Sequence, residues 1–463
     1  MANPCASLCA RAAAICAALA MAGCVPADPN GDSSALEQVL GLAPTVASNG
    51  STTPSSSGNS STGDGSDPST WTGVDPDEPL VTTRHTESEP NDTWDQAEAV
   101  DFGGSVELVG TIAASHGGND CDFYDLGAAH AGQRLQADLA NNGADIQLGL
   151  LDEQGRLLAY VDPISPSAGP SRVDVILHES TARLYVMVAT RSAASVNRGY
   201  TATVTLSRTA NPLPMRPQAV VLVFQGATQV RIGSRQPIDV PPFDIADVNS
   251  EFAGQNEAAI QSLFEKVRDD YDGLNVTFYR DTDPDRPTQG LTVIYFGNSD
   301  ARLLGLADNV DPFNGDATQS AILYTDTFSL FNQLRPGFGG TMQVLANVTS
   351  HEVGHLLGLR HTADPEDILD VTATARQMLA DQFFKTANLH VSVLPYGVQD
   401  APAMLGWSVG GELLPRVAPK LYAQAKPAPL AGDEDDFYIP RSLLGDCGCP
   451  ECDQPHHPAA AAH

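Results

Sequence analysis

Residues 351–361 read HEVGHLLGLRH, a stretch that sets three histidines at fixed intervals. On a helix, His351 and His355 leave the same face one turn apart, because residues four apart are neighbours on a helix surface. Gly358 lets the chain turn sharply after the helix, since glycine enters left-handed backbone space freely. The turn brings His361 back toward the first two imidazoles. Three histidine nitrogens with a fourth position left open are typical of a catalytic Zn²⁺ site.

Glu352 follows the first histidine directly, so its carboxylate is expected to face the space in front of a bound metal without being a ligand. This is where a general base stands when it takes a proton from zinc-bound water. The alternative is a buried amphipathic helix whose histidines are ordinary core residues. Five specified positions at fixed spacing, in a chain with only 11 His, favour the metal site.

The motif HExxH, extended through a glycine to a third histidine, resembles the signature of the metzincin metalloproteases. The resemblance implies an α+β catalytic domain in which His351, His355 and His361 bind zinc and Glu352 is catalytic. It also implies hydrolysis of peptide bonds in polypeptide substrates.

The region after the third histidine departs from the metzincin pattern. Leu369 stands where metzincins place a methionine in a turn beneath the metal. Replacing a methionine with a leucine changes the side-chain volume little. Met378 and Met404 are alternative turn residues. Asp370 occupies the place of a tyrosine that assists some relatives, so that tyrosine is expected to be missing.

Composition divides the chain into segments, and the expected fold is multidomain, with an all-β sandwich followed by an α+β metzincin-like domain. The segments are a signal peptide with a lipoprotein box at 1–24, a disordered Ser/Thr/Gly/Pro-rich tether at 25–87, the sandwich at 88–208, the catalytic domain at 212–410 and a flexible acidic, cysteine-containing tail at 411–463. Because neither the tether nor the sandwich supplies a catalytic residue, the catalytic segment is expected to fold on its own.

Short apolar runs separated by turn residues predict the β-sandwich. The pieces EPND at 89–92, NDCDFYDL at 119–126 and GYTATV at 199–204 resemble the bacterial pre-peptidase C-terminal domain, which accompanies secreted proteases. Hard oxygen ligands in two turns would suit Ca²⁺, namely Glu89, Asn91, Asp92, Asp120 and Asp122. The alternative is that these residues only form turns at strand ends.

Periodicity in the catalytic segment predicts strands and helices in a definite order. The expected elements are strands at 220–224, 276–279, 291–296 and 321–325, an amphipathic helix at 255–271 and the zinc helix within 341–358, with Gly339 and Gly340 as breakers before it. By resemblance to metzincins, the strand at 321–325 would be the edge of the substrate cleft. The loop at 308–316 either holds Ca²⁺ or is a solvated turn.

The chain has 25 basic and 57 acidic residues and a net charge of −32, which disfavours nucleic acids and anionic lipids as partners. Residues 12–22 form an apolar stretch that is too short to span a bilayer. It ends in Met21-Ala22-Gly23-Cys24, which resembles a lipoprotein box. Cys24 would then be lipidated and be the membrane attachment; the alternative is an ordinary secretory signal. Both place the chain outside the cytoplasm, on the outer surface or secreted.

The tail carries a tight cluster of cysteines, Cys447, Cys449 and Cys452, followed by His456 and His457. A disulfide or a passive tail is one interpretation, because export favours disulfides. The other is a second metal site, although a Pro-rich end offers little fold to preorganise ligands.

Two functions of different classes remain. The leading interpretation is a secreted or surface-anchored zinc endopeptidase with Glu352 as general base. The alternative is a cell-surface binding or adhesion protein with an inactive metzincin-like domain, supported by Leu369 and the missing tyrosine. The intact Glu352 argues against the alternative.

Overall fold

The computed structural model describes residues 81–113, 120–140, 146–161, 171–190, 198–208 and 215–414, together with the backbone of 446–447. The expected signal peptide with Cys24, the tether up to residue 80, and Cys449, Cys452, His456 and His457 all lie outside these residues. Within the described ranges, no helix is both long and apolar enough to cross a membrane.

The protein is rich in β-structure, and two five-stranded sheets make up its first part. Before residue 209 the described strands are β1 (Thr83–Thr86), β2 (Glu98–Ala99), β3 (Ser105–Ile112), β4 (Cys121–Asp125), β5 (Gln133–Ala140), β6 (Ile146–Leu151), β7 (Leu157–Val161), β8 (Ser171–Ile176), β9 (Tyr185–Thr190) and β10 (Arg198–Arg208). The sheets have the orders β1-β3-β10-β5-β8 and β2-β4-β9-β6-β7. Alternate residues of both sheets, among them Val106, Leu135, Leu148 and Val186, share one apolar core.

Strand β1 shows that the folded part begins before the expected boundary at residue 88. Thr83–Thr86 pairs in parallel with β3, with Thr83 opposite Val106 and Thr86 opposite Val109. The sequence TRHT has no apolar alternation, so its pairing depends on the neighbouring strand and not on a local pattern.

A six-stranded sheet with two main helices lies in the part of the chain that follows residue 215. The described elements of this part are β11 (Gln218–Val223), β12 (Ala227–Val230), β13 (Ile238–Val240), α1 (Ile245–Val248), α2 (Asn256–Asp270), β14 (Val276–Arg280), β15 (Leu291–Phe296), β16 (Gly305–Ala307), β17 (Ser320–Leu323), α3 (Gly337–Leu356), α4 (Ala375–Met378), β18 (Thr386–Asn388), β19 (Val398–Asp400), α5 (Ala401–Val409) and β20 (Asp446–Cys447). It also has 3-10 turns at Ser250–Phe252, Pro312–Asn314 and Thr325–Leu334, and the sandwich has one at Trp94–Gln96. The sheet order is β14-β11-β15-β17-β16-β20. One core cluster joins α2 and α3 to the sheet, for example through Leu263, Leu345 and Ile294.

Helix α3 starts earlier than the glycines at its beginning suggest. Gly339 and Gly340 lie inside it, whereas they were expected to precede it. A glycine costs about 1 kcal/mol in a helix interior, and the burial of every residue from Thr341 to Leu356 outweighs this cost. A Cβ at Gly340 would lie only 3.0 Å from Pro336 Cβ, so a small residue also suits the packing there.

The edge of the sheet is not the strand that the sequence suggested. Strand β17, which overlaps the expected strand at 321–325, lies between β15 and β16. Beyond it lies β16, which runs antiparallel to β17 with Gly305 opposite Leu323. Strand β16 is the edge strand of the part of this sheet that residues 215–414 form, and β20 of the tail lies outside it. The sequence analysis missed β16 because its three residues are all buried and show no alternation.

Part of the tail expected to be flexible forms the short strand β20. Asp446–Cys447 pairs in parallel with β16, with Leu306 opposite Asp446 and Ala307 opposite Cys447. These two residues of the tail therefore lie along the outer side of β16.

The sandwich and the catalytic segment share a core, which argues against an independently folding catalytic domain. Leu389, Val393 and Leu394 pack in one cluster with Phe123, Met187 and other residues of the β2-β4-β9-β6-β7 sheet. A Cβ at Gly149 would overlap Leu394, so the sandwich approaches this segment very closely. Cutting the chain between the two parts would expose these apolar side chains to water.

Candidate metal centre

Three imidazoles converge at the end of α3. His351 and His355 lie in its last two turns, and Gly358 then takes a φ of +99°. A Cβ at Gly358 would lie 2.9 Å from Pro312 Cα, so both the backbone angle and the space require glycine. The turn brings His361 back, and His355 Nε2 lies 3.0 Å from His351 Nε2 and 3.1 Å from His361 Nε2.

These distances fit the coordination of a tetrahedral metal ion. Zn²⁺ with Zn–N bonds of about 2.0–2.1 Å separates its nitrogen ligands by about 3.3–3.4 Å. A small outward movement of each ring would therefore admit the ion. The group is chemically suited to Zn²⁺, because it offers three nitrogen ligands and leaves the remaining position to solvent.

Hydrogen bonds on the far side of two rings set which nitrogen faces the centre. His351 Nδ1 donates to the Ile368 carbonyl at 2.8 Å, and His355 Nδ1 donates to the Leu359 carbonyl at 2.8 Å. A carbonyl only accepts, so Nδ1 carries the hydrogen and the lone pair of Nε2 points inward.

Burial keeps the imidazoles of His351 and His361 uncharged, which is the state in which they can bind a metal ion. Burial, and then the neighbouring His355, lowers the pKa of His351 to about 3. The same causes hold the pKa of His361 well below its ordinary value. Neutral imidazoles at neutral pH are competent ligands without first losing a proton.

The side chain of Glu352 lies between α3 and the edge strand β16. It is fully buried, and a Cβ at Gly305 would overlap its Oε1 atom. Because Gly305 has no side chain, there is space at this position for the carboxylate of Glu352. The sequence analysis did not identify Gly305, because nothing local relates residue 305 to residue 352.

The segment after the third histidine packs against the end of α3 and hydrogen-bonds to one of the three histidines. The Ile368 carbonyl holds His351, and the Leu369 carbonyl accepts from Thr362 N at 2.9 Å. Leu369 is fully buried, and a Cβ at Gly354 would lie 3.1 Å from its Cδ2. Asp370 accepts from the amide of Thr372 at 2.8 Å and so closes a local turn.

The two alternative methionines lie elsewhere in the catalytic segment. The Met378 carbonyl, at the end of α4, accepts from Asn347 Nδ2 at 2.9 Å, which ties α4 to α3. Met404 in α5 lines a small cavity together with Gly358 and Arg360. Unlike these two methionines, Leu369 directly follows a residue whose carbonyl group accepts a hydrogen bond from His351.

A second group of possible metal ligands lies in the sandwich. Carboxylate oxygens of Glu89, Asp120 and Asp122 are within 4.8 Å of one another. The side chain of Asn91 is fully buried, and its amide nitrogen and oxygen have no hydrogen-bond partner among the described residues. Burial raises the pKa of Asp120 to about 7 and that of Asp122 to about 9. Of the residues expected there, Asp92 also lies close, since its charge raises the pKa of Asp120.

The loop at 308–316 is organised by its own carboxylates. Asp308 accepts from Gly233 N and Ser320 N, each at 2.6 Å. Asp311 accepts from Asp316 N at 2.8 Å. These bonds favour the turn interpretation of this loop over a Ca²⁺ site.

Comparisons with known proteins do not assign this chain to a family. No family model matches the chain, and no curated protein matches it. Among solved structures, it is similar to PliG of Aeromonas hydrophila, a periplasmic inhibitor of g-type lysozyme, at 16% identity over 27% of this chain and 100% of that one, with a TM-score of 0.19. It is also similar to the pre-peptidase C-terminal domain of a Bacillus anthracis collagenase, at 12% identity over 28% and 98% of the two chains, with a TM-score of 0.16. A family two carbohydrate esterase of Cellvibrio japonicus gives 9% identity over 41% and 66%, with a TM-score of 0.14. At such scores neither fold nor function follows from the likeness.

Gly305→Ala tests the close packing of the edge strand on Glu352. The added methyl group would overlap the carboxylate, so we expect the free energy of unfolding to fall by about 1–3 kcal/mol, as for other overpacked sites. Chemical denaturation measures this. Gly339→Ala on the helix α3 is the matched control, since a Cβ there meets nothing within 4 Å. Equal stability of the two variants would contradict the described contact.

Proposed function

We propose that this protein is a zinc-dependent endopeptidase of the metzincin type. The observation behind the proposal is the convergence of three imidazoles, with the Nε2 atoms of His351 and His361 lying 3.0 and 3.1 Å from His355 Nε2, on a helix that also carries the buried Glu352. The motif, the left-handed turn at Gly358 and an edge strand beside the ligand helix all support it.

The chain's own residues have distinct roles in this proposal. His351, His355 and His361 would hold the ion, which would supply a water with a pKa lowered to about 7 and would polarise a carbonyl group. Glu352 accepts the proton of the attacking water and passes it to the leaving amine. Burial of Glu352 excludes competing solvent from its carboxylate and strengthens its electrostatic effect.

The proposed substrate is an extended polypeptide, which would pair with β16 by strand addition in place of β20. The edge lies next to the base, because Gly305 of β16 contacts Glu352. The alternative, an adhesion protein with an inactive domain, rests on Leu369 and Asp370. Leu369 fills its place by close packing and Asp370 only closes a turn, so neither disturbs the ligands.

We propose an extracytoplasmic location, with attachment to a membrane through a lipidated Cys24. The basis is the sequence at 21–24 and the composition of the segment that follows it. A net charge of −32 gives the chain no electrostatic attraction to anionic lipids, so the lipid would have to supply the membrane affinity.

We further propose that the acidic group of the sandwich binds Ca²⁺. Hard oxygen ligands from carboxylates and an amide are what Ca²⁺ prefers. Glu89, Asp120 and Asp122 bring several carboxylates together, and the buried amide of Asn91 lacks a partner among the described residues. A cation would relieve the repulsion among the carboxylates and give the amide oxygen a ligand role.

Glu352→Gln tests the proposed base. Peptide hydrolysis should fall by roughly 10²–10⁴-fold, since proton transfer is lost while the side chain keeps its size. Zinc content, measured by atomic absorption, should stay at the wild-type value because Glu352 is not a ligand. His351→Ala, the control, should lose zinc as well as activity. A zinc-loaded wild-type protein that does not cleave casein would contradict the proposal.

The Ca²⁺ proposal predicts a particular dependence of stability on pH. Folding raises the pKa of Asp120 and Asp122 from an ordinary 3.8 to about 7 and about 9, so the folded state holds protons that the unfolded state releases. In EDTA the stability should be highest near the ordinary pKa and fall as pH rises through the raised values. Calorimetry from about pH 5 to about pH 8 should show this fall, and Ca²⁺ should suppress it.

Asp122→Asn is the matched control for the calcium experiment. It removes the carboxylate whose pKa is raised more. The fall of stability with rising pH in EDTA should therefore be shallower, and Ca²⁺ should change the stability less. A Ca²⁺-independent melting temperature across this range in the wild type would show that the acidic group is only a set of turn residues.

The pairing of β20 with β16 predicts that the tail competes with substrate. A chain ending after Leu414 lacks β20, so kcat/KM for casein should rise several-fold. In the full-length chain, Cys447→Pro should raise it too, because proline has no N–H for the pairing. Cys447→Ser keeps the backbone and should leave activity unchanged. If the shortened and full-length chains cleave equally fast, the tail does not compete.

A further inference from the structure

The backbone that carries His361 differs from the backbone that carries the other two histidines. His351 and His355 are fixed by the backbone of α3, whereas His361 lies on irregular chain after Gly358. Ligands on irregular chain must be oriented by the groups around them.

A loop between β18 and β19 supplies part of that support. His390 N donates to the His361 carbonyl at 3.0 Å. The fully buried Gln399 accepts from Arg360 N at 2.7 Å and donates to the Arg360 carbonyl at 2.8 Å. The peptide groups on either side of the ligand are thus held by one stretch of chain, residues 390–399.

This stretch is in turn fixed to the sandwich. Val398 N donates to the Gly155 carbonyl at 2.8 Å, and Gln147 Nε2 donates to the Ser392 carbonyl at 3.4 Å. Leu394 packs against Gly149 in the shared core cluster. The sandwich therefore holds the loop by hydrogen bonds and by apolar packing.

A direct contact joins the sandwich to the residue before the ligand. The guanidinium carbon of Arg360 lies 4.1 Å from the centre of the Tyr160 ring, which belongs to β7. Both side chains are buried, with 5% and 6% of their surface exposed. A cation over an aromatic face is favourable, and more so away from water. Burial of this pair thus fixes the direction in which Arg360 leaves the backbone.

We infer that the β-sandwich is a working part of the metal centre, in which Tyr160 is a positioning residue for His361. Tyr160 holds Arg360, and Arg360 and Gln399 together fix the peptide group that precedes His361. The inference rests on the proposed function in one respect, namely that His361 binds the metal ion.

Tyr160→Leu in the full-length chain is the decisive variant, because it keeps apolar bulk and removes the aromatic face. We expect the dissociation constant for Zn²⁺ to rise by about tenfold, at the low end for residues that support metal ligands. The visible absorption of the Co²⁺-substituted protein should also change, since it reports ligand geometry. Tyr160→Phe keeps the face and should bind Zn²⁺ like the wild type.

Tyr185→Leu is the matched control. Tyr185 lies in the same core cluster, but its ring packs on Trp94, with ring centroids 5.1 Å apart. It should lower the melting temperature without changing Zn²⁺ affinity or the Co²⁺ spectrum. Equal Zn²⁺ affinities for Tyr160→Leu, Tyr185→Leu and the wild type would overturn the inference and leave the proposed function intact. A wild-type chain that binds no Zn²⁺ would instead overturn the proposed function, and the inference with it.

Discussion

The left-handed turn at Gly358 is the constraint on which the rest of the candidate metal centre depends. With a φ of +99° and Pro312 Cα close to the position of a Cβ, no other residue fits without strain. The turn ends α3 directly after His355 and sends the chain back past its own ligands. It also places Arg360 against Tyr160 of the sandwich. Metal geometry and contact between the two parts of the chain therefore follow from one backbone angle.

Local sequence predicted what depends on local spacing. The histidine motif gave the group that the structure brings together, because helical geometry fixes the relation of His351 to His355 and a glycine signals the turn. The main strands of the sandwich and the helix at Asn256–Asp270 also follow their apolar periods. Residues such as Gly305 and Gln399 left no signal, since their importance comes from contacts with residues about 40 or more positions away.

Short strands were the main source of error in the prediction. Strand β16 has three residues and β1 has four, too few to show a period. Each is held by pairing with a longer neighbour, which is a tertiary effect. Misplacing the sheet edge had a functional cost, because the edge is where an extended peptide would pair. The expected edge strand lies inside the sheet, since β16 and β20 both lie beyond it.

Burial has opposite effects on the two candidate metal sites, and this separates their chemistry. It lowers the pKa of His351 and so keeps an imidazole neutral and ready to bind. It raises the pKa of Asp122, so the carboxylate there is costly to ionise until a cation is near. The first group is thus uncharged at neutral pH, whereas the second would gain from a cation only when its carboxyl groups ionise. The β2-β4-β9-β6-β7 sheet links them, since β4 carries Asp122 while β7 carries Tyr160. One sheet of the sandwich thus carries both a carboxylate of the acidic group and the aromatic ring that contacts Arg360.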